Sequence, residues 1–133
     1  MMLVPHYIAS SNIEGVGLFA AANIAEGTRI YQFDYRFVMI ISDAEIRTMP
    51  DAAQQAVLKY SYRGKGRERL VGAVYYCADD SRYFNHSNFP NTRWVEGEDV
   101  YIATADIPAH TEITCNYGEF TEPGDWAIES VNA

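Results

Sequence analysis

Short apolar runs separated by turn-forming residues constrain the fold of this chain most strongly. The longest purely aliphatic run, Val38–Ile41, has four residues, which is far too short to span a bilayer. Over residues 7–41, runs such as Leu18–Ala20 and Arg29–Phe33 lie between Ser-, Asn- and Gly-containing turn signals. This pattern predicts short β-strands joined by tight turns.

Composition supports one mainly β domain. The chain has 133 residues, of which 48% are apolar and ten are Tyr, and Tyr fits the half-buried surface of a pleated sheet. A chain of this length can bury a core of its own, and its sequence contains no repeat or linker. We therefore predict a single domain over residues 1–133.

Two short helices are predicted in the middle of the chain. Ser42 and Glu45 have the spacing of a capping box, so a helix should begin there and end near Met49 and Pro50. A second helix should follow over residues 52–59, with Asp51 as its N-cap.

A basic loop follows these helices. The segment Arg63–Arg69 holds four of the ten basic residues and two glycines, and it lies between the apolar stretches Tyr60–Tyr62 and Leu70–Tyr76. This arrangement predicts a hairpin with an exposed tip. The tip is either a solvated loop or a cationic patch for an acidic partner.

Charge and cysteine content exclude several classes of protein. A net charge of −8 argues against binding of nucleic acid, because such proteins carry basic patches, and favours a basic partner. Cys77 and Cys115 are too few for a disulfide scaffold or a four-thiolate zinc site. The N-terminal residues 1–6 lack the layout of a signal peptide, so we expect an intracellular, most simply cytoplasmic, protein without membrane association.

A polar run at Arg82–Asn91 has the composition of a ligand-binding loop. It reads Arg-Tyr-Phe-Asn-His-Ser-Asn-Phe-Pro-Asn, and its turn-forming and hydrogen-bonding side chains predict a rigid polar loop. Upstream, Gly15-x-Gly17 would allow close backbone approach to a ligand, although a plain turn is the simpler interpretation. The third glycine of a dinucleotide fingerprint is missing.

A third motif, Glu-Ile-Thr-Cys-Asn-Tyr-Gly, covers residues 112–118 and is predicted to be a strand that carries Tyr117. In this order, the three motifs resemble the SET-domain family of protein lysine methyltransferases. The resemblance implies a β-clip fold of several small curved sheets, with a knot-like crossing and a few short helices. It covers a core of about residues 13–118, with residues 119–133 as a C-terminal closing segment.

The resemblance also implies a site for S-adenosylmethionine. In the family, the Gly-x-Gly segment contributes backbone groups, and the Asn-His segment holds the cofactor's adenine and amino-acid ends. The residues implied at the cofactor are Glu14, Gly15, Val16, Gly17, Leu18, Arg82, Tyr83, Asn85, His86 and Tyr117. We expect His86 to shape the loop and to contact the cofactor through its backbone, and we expect no metal.

Tyr117 is the implied catalytic residue, because its hydroxyl would orient the lysine amine toward the methyl group. The implied substrate channel is lined by Phe33, Tyr76, Cys115, Phe120 and Trp126. Cys115 replaces the larger Phe or Tyr of many members, so the extra room predicts that dimethyl- or trimethyl-lysine can form.

The resemblance predicts methyl transfer from S-adenosylmethionine to lysine in a Lys-rich basic protein. A catalytically inactive SET-like module that binds cofactor or a lysine peptide is the alternative. The flanking cysteine-rich zinc segments of many family members have no counterpart in this sequence, so we expect a small stand-alone SET protein, and a homodimer is plausible.

Overall fold

The computed structural model describes residues 1–123 and 125. The chain forms two compact units, and each unit combines two separate parts of the sequence. The first unit contains Met1–Asp34 and Asp79–Asn116, and the second contains Tyr35–Ala78 and the segment that begins at Tyr117. Whether the two units act as a single domain stays a prediction.

The first unit contains a four-stranded sheet in the order β1-β2-β10-β7. Its strands are β1 (His6–Ser10), β2 (Val16–Ala20), β7 (Asn85–His86) and β10 (Glu112–Cys115). Strands β1 and β2 form an antiparallel hairpin, whose turn includes Gly15 at a φ of 49°. Strand β10 pairs antiparallel with β2 and parallel with β7. The parallel pairing places the Asn-His-Ser segment beside the strand that precedes Tyr117.

A three-stranded sheet in the order β3-β9-β8 completes the first unit. Its strands are β3 (Arg29–Gln32), β8 (Thr92–Val95) and β9 (Val100–Ala103). Buried Ile30, Val100 and Tyr101 come from this sheet. The Tyr101 ring lies 5.6 Å from Phe84 and 5.0 Å from Trp94, so aromatic packing supplies much of the core here.

The second unit contains a three-stranded sheet in the order β4-β6-β5 and two α-helices within the described residues. The strands are β4 (Val38–Ser42), β5 (Ser61–Tyr62) and β6 (Ala73–Cys77), and the helices are α1 (Asp43–Arg47) and α2 (Asp51–Lys59). The capping box of Ser42 and Glu45 is present at the start of α1. The prediction that Asp51 is the N-cap of α2 is wrong. Pro50 is the N-cap, and Asp51 is the first residue of the helix.

The mainly β prediction and its small sheets are confirmed, and so is the hairpin around the basic loop, because β5 and β6 pair antiparallel. The predicted strand through Tyr117 is wrong in its extent. Strand β10 ends at Cys115, and Tyr117 begins the 3-10 turn Tyr117–Glu119. No helix among the described residues is long and apolar enough to cross a membrane.

Candidate cofactor and catalytic sites

Asn85 joins two of the sequence motifs. It lies in β7, opposite Thr114 of β10, and only 9% of it is exposed. Its side-chain Nδ2 donates to the carbonyl oxygens of Glu14 at 3.3 Å and Val16 at 3.1 Å. The same amide donates to Oε2 of Glu112 at 2.9 Å. The Asn-His segment therefore bonds directly to the Gly-x-Gly turn, although the bonded residues are 69 and 71 positions apart in the sequence.

Glu112, the first residue of β10, was not among the predicted site residues. Besides the Asn85 amide, its carboxylate accepts a hydrogen bond from the Ser11 hydroxyl, at 2.7 Å to Oε1 and 3.0 Å to Oε2. We call Ser11, Asn85 and Glu112 the amide–carboxylate cluster. The only sequence signal for this cluster is an acidic residue at the start of a predicted strand. That signal does not indicate that Glu112 bonds residues 101 and 27 positions away.

The two glycines of Gly15-x-Gly17 have different roles. A Cβ atom on Gly17 would lie 2.3 Å from Oε2 of Glu112 and 3.0 Å from Nδ2 of Asn85, so the position has no room for a side chain. Close approach at Gly17 is therefore to the protein's own carboxylate. Gly15 has a φ of 49° and nothing within 4 Å of its Cβ position, so it provides the turn conformation and an open face.

His86 contacts the loop that follows β7, and its predicted role at the cofactor stays a prediction. The residue is 8% exposed, and its Nε2 lies 3.0 Å from Oδ1 of Asn88. The next residue, Ser87, donates its backbone N–H to the Cys115 carbonyl at 2.9 Å and accepts the Phe89 N–H on its hydroxyl at 3.0 Å. The loop is therefore tied at its start to β10.

Asn91 holds the other end of the same loop. Its Nδ2 donates to the Glu112 carbonyl at 2.8 Å, and its Oδ1 accepts the Thr114 N–H at 2.9 Å. The side-chain amide thus bonds β10 as a peptide group of a neighbouring strand would. The loop that follows β7 is therefore bonded to β10 both at Ser87 and at Asn91.

The other predicted cofactor residues lie in the first unit, apart from Tyr117. Leu18 is fully buried in β2, between β1 and β10, so the exposed part of the upstream segment is Glu14–Val16. Arg82 and Tyr83 are partly buried and belong to the 3-10 turn Asp80–Tyr83. Contact of any of these residues with a cofactor stays a prediction.

Tyr117, Phe120 and Tyr76 belong to the second unit, where they accompany rings that the sequence did not single out. The Phe120 ring lies 5.4 Å from Tyr117 and 5.0 Å from Tyr62. Tyr62 in turn stacks on Tyr75 at 5.0 Å. Burial raises the pKa of Tyr75, and the charges of Tyr35 and Glu68 act in the same direction. The Tyr75 phenol therefore stays protonated and donates to the Glu68 carbonyl at 2.7 Å.

The other predicted channel residues, Phe33, Cys115 and Trp126, do not belong to the described part of the second unit. Phe33 and Cys115 belong to the first unit; Phe33 is partly exposed, whereas Cys115 is 1% exposed within β10. Trp126 lies outside the described residues. The described part of the chain contains no group of His, Cys, Asp and Glu side chains arranged to hold a metal ion.

The family of the chain follows from its sequence profile. The SET domain family matches residues 15–118. The chain belongs to the SET domain family. The matched segment contains all three motifs, from Gly15 to Gly118, and with them the amide–carboxylate cluster except Ser11. The family is one of methyltransferases, which agrees with the resemblance found in the motifs.

Solved structures show the same fold. A protein of Plasmodium falciparum that is provisionally assigned as a histone methyltransferase is 21% identical over 88% of this chain and 96% of that chain, with a TM-score of 0.58. The Polycomb repressive complex 2 of Chaetomium thermophilum is 26% identical over 92% of this chain, with a TM-score of 0.60. An apo, autoinhibited form of that complex is 24% identical over 97% of this chain, with a TM-score of 0.62.

This chain covers only 16% and 17% of the two Polycomb chains, so the similarity concerns one domain of much longer proteins. No sequence among curated proteins matches the chain at a significant level.

Proposed function

We propose that this SET domain transfers methyl groups from S-adenosylmethionine to lysine side chains of a basic protein. The observation that carries the proposal is the Asn85 amide, which bonds the carbonyls of Glu14 and Val16. It unites the two motifs to which the family resemblance assigns the cofactor.

The residues of the first unit fit such a cofactor. The turn Glu14–Val16 is exposed, and Gly15 leaves open space where a side chain would stand. The Asn85 hydrogen bonds to Glu14, Val16 and Glu112 all use Nδ2, and we propose that Oδ1 accepts a hydrogen bond from a ligand amine. When bound, S-adenosylmethionine supplies a sulfonium methyl group that is already electrophilic. The protein's task is then to orient the amine and to exclude water.

Tyr117 is the proposed catalytic residue. Its ring is held beside Phe120, and its hydroxyl would accept a hydrogen bond from the lysine amine and orient the nitrogen lone pair. The amine must be neutral to react, and aromatic surroundings lower a lysine pKa by desolvation. We propose that Tyr76 and Phe120 contribute to those surroundings, together with Tyr62, which contacts Phe120.

The substrate class rests on charge. The chain has a net charge of −8, which attracts Lys- and Arg-rich segments electrostatically, and one structural relative is assigned as a histone methyltransferase. A histone-like basic tail is therefore the first substrate to test. An intracellular location, a homodimer and access to dimethyl- or trimethyl-lysine beside Cys115 belong to the same proposal.

Tyr117→Phe tests the proposal directly. With methyl-labelled S-adenosylmethionine and a panel of basic proteins, we expect the wild type to label lysine. The variant should lose about 100-fold or more in kcat, a typical effect of removing a positioned polar group. Calorimetry should show unchanged cofactor affinity. Tyr7→Phe is the matched control, because its hydroxyl bonds His110 on the first unit's surface and its removal should leave kcat unchanged.

The same assay separates the alternative, an inactive SET-like module. Such a module would bind the cofactor, with heat and a thermal shift at saturation, but would label no protein of the panel. Full activity of Tyr117→Phe would contradict the role of Tyr117. Absence of any cofactor binding would reject both readings of the site.

A further inference from the structure

The basic loop Arg63–Arg69 is neither merely solvated nor a free cationic patch, since its groups bond to the C-terminal segment within the second unit. We propose that this loop is a strap that holds residues 117–123 and 125, and that Lys65 and Arg69 are positioning residues for Tyr117. The catalytic consequence rests on the proposed function, whereas the strap itself does not.

Three contacts, on three residues of the loop, make up the strap. The Lys65 ammonium donates to the Gly118 carbonyl at 2.9 Å, immediately after Tyr117. The Gly66 backbone N–H donates to Oε1 of Glu122 at 3.0 Å. The Arg69 guanidinium meets both carboxylate oxygens of Asp125, at 3.1 and 3.4 Å. A two-pronged contact of this kind fixes direction as well as distance.

The loop is itself built to be stiff. The Arg63 guanidinium donates to Asp43 and to the Ala73 carbonyl, each at 3.0 Å, and the Leu70 N–H closes the loop onto the Arg63 carbonyl at 2.7 Å. Gly64 has a φ of 87°, and a Cβ there would lie 2.7 Å from the Glu68 carbonyl oxygen. The strap therefore starts from a base that does not adapt easily.

The held segment, by contrast, has little local structure. It consists of the 3-10 turn Tyr117–Glu119, continued by Thr121, whose N–H and hydroxyl both donate to the Tyr117 carbonyl at 2.9 and 2.7 Å. Such a short turn is weak on its own. Its position therefore depends on contacts with residues outside the turn.

The ring contacts carry the effect of the strap to Tyr117. Tyr62 directly precedes the basic loop, and its ring packs at 5.0 Å against Phe120 of the held segment. Phe120 packs at 5.4 Å against Tyr117. Loss of the polar contacts would free the backbone at Gly118 and shift Phe120, and with it the Tyr117 ring. The Lys65 contact at Gly118 and the ring contacts of Tyr62 and Phe120 therefore both affect the position of Tyr117.

Charge reversal and its rescue test the strap. Arg69→Asp should speed hydrogen exchange of the Phe120 and Thr121 amides by about tenfold, because the ion pair becomes a repulsion. It should also lower kcat by about fivefold with a smaller change in KM. The swapped double variant R69D/D125R should restore both values to within about twofold, since it re-forms the pair in reverse.

Arg67 provides the matched control. It is exposed in the same loop and takes part in none of the three contacts of the strap, so Arg67→Asp makes the same charge change without removing any of them. Equal exchange in Arg67→Asp and Arg69→Asp would overturn the strap, and so would a swap that rescues nothing. Arg69→Gln, a milder change, should give a smaller acceleration in the same direction; no acceleration in this variant would also overturn the strap.

The exchange measurement needs neither cofactor nor substrate, so it separates the two proposals. If Arg69→Asp speeds exchange while the wild type labels no protein, the strap stands and the proposed function fails. If the wild type is active and Arg69→Asp exchanges faster at unchanged kcat, the strap holds the segment but Arg69 does not position Tyr117.

Discussion

The amide–carboxylate cluster and the strap both hold a short segment in place, but they do so in opposite environments. In the cluster, Asn85 is 9% exposed and sits on paired strands. In the strap, 36% of the Arg69 side chain is exposed, and its partner Asp125 lies on an irregular segment. The first unit thus fixes its turn with a largely buried network, and the second fixes its segment with exposed charges.

This difference has a physical consequence for stability. A buried polar group that loses its partner keeps the cost of desolvation, so the loss of one partner should be costly at the buried Asn85 amide. Exposed ion pairs contribute little each and are screened by salt. The cofactor side of the proposed enzyme is therefore built to stay fixed, whereas the segment that carries Tyr117 is held by contacts that solution conditions can loosen.

Removal of the cluster's carboxylate should have the largest effect. Glu112→Ala leaves the Asn85 amide with its carbonyl partners only and the Ser11 hydroxyl with no carboxylate. We expect the free energy of unfolding to fall by about 2 kcal/mol, measured by urea denaturation, and the affinity for S-adenosylmethionine to fall with it. Glu98→Ala is the control, because Glu98 is an exposed glutamate paired with Arg29 at 3.3 Å.

Gly17→Ala sharpens this test, since its Cβ would displace the Glu112 carboxylate. The double variant with Glu112→Ala should then cost clearly less than the sum of the two single variants. Additive costs would show that the glycine and the carboxylate do not interact. A loss for Glu112→Ala no greater than for Glu98→Ala would remove the contrast between cluster and strap.

High salt should distinguish the cluster from the strap without any mutation. We expect its effect to be smaller than that of Glu112→Ala and larger than that of His6→Gln. At about 1 M ionic strength the Debye length falls to about 3 Å, so the Arg69–Asp125 pair and the Lys65 contact should weaken. We expect hydrogen exchange of Phe120 and Thr121 to become a few times faster. The Ser87 amide, bonded to the Cys115 carbonyl, should not change. Equal acceleration at both places would indicate general destabilisation by salt instead.

The stability of the protein should depend slightly on the protonation of His6, which pairs with Asp80 in the first unit. Burial lowers the pKa of His6, but hydrogen bonds to the Val4 carbonyl and Asp80 and the charges of Asp80 and Asp79 outweigh it, so the pKa is raised above 6.5. Because the folded-state pKa is the higher one, the stabilisation is fully present below the ordinary pKa and is lost as pH rises through the folded one.

His6→Gln should therefore destabilise the protein at about pH 5.5 and have almost no effect at about pH 8.5, with a difference of less than about 1 kcal/mol. Urea denaturation of both proteins at the two pH values measures it, and Asp80→Asn should reduce the same pH dependence, because the Val4 carbonyl and Asp79 still act on His6. A larger loss at high pH than at low pH would contradict the direction of the pKa shift.

Local patterns explain what could be predicted from the sequence. Ser42 and Glu45 lie within one helical turn, so their capping box follows from spacing alone. The turn at Gly15 and the short strands around it follow in the same way. Errors arose where local signals competed: Asp51 can cap a helix, yet Pro50 already occupies the N-cap position, and the strand of Glu112 ends before Tyr117 although the motif continues.

The sequence by itself determined the family, the mainly β composition of the fold and the motifs assigned to the cofactor, because each depends on residues a few positions apart. Only the tertiary structure decided that Glu112 fills the space beside Gly17 and that the basic loop bonds the segment after Tyr117. The contacts of the basic loop join residues 53 and 56 positions apart, and the carboxylate beside Gly17 also bonds Ser11, 101 positions from Glu112. Any carboxylate could accept the hydrogen bonds of Asn85 or Arg69. The fold of the chain determines that Glu112 and Asp125 are the ones close enough to do so.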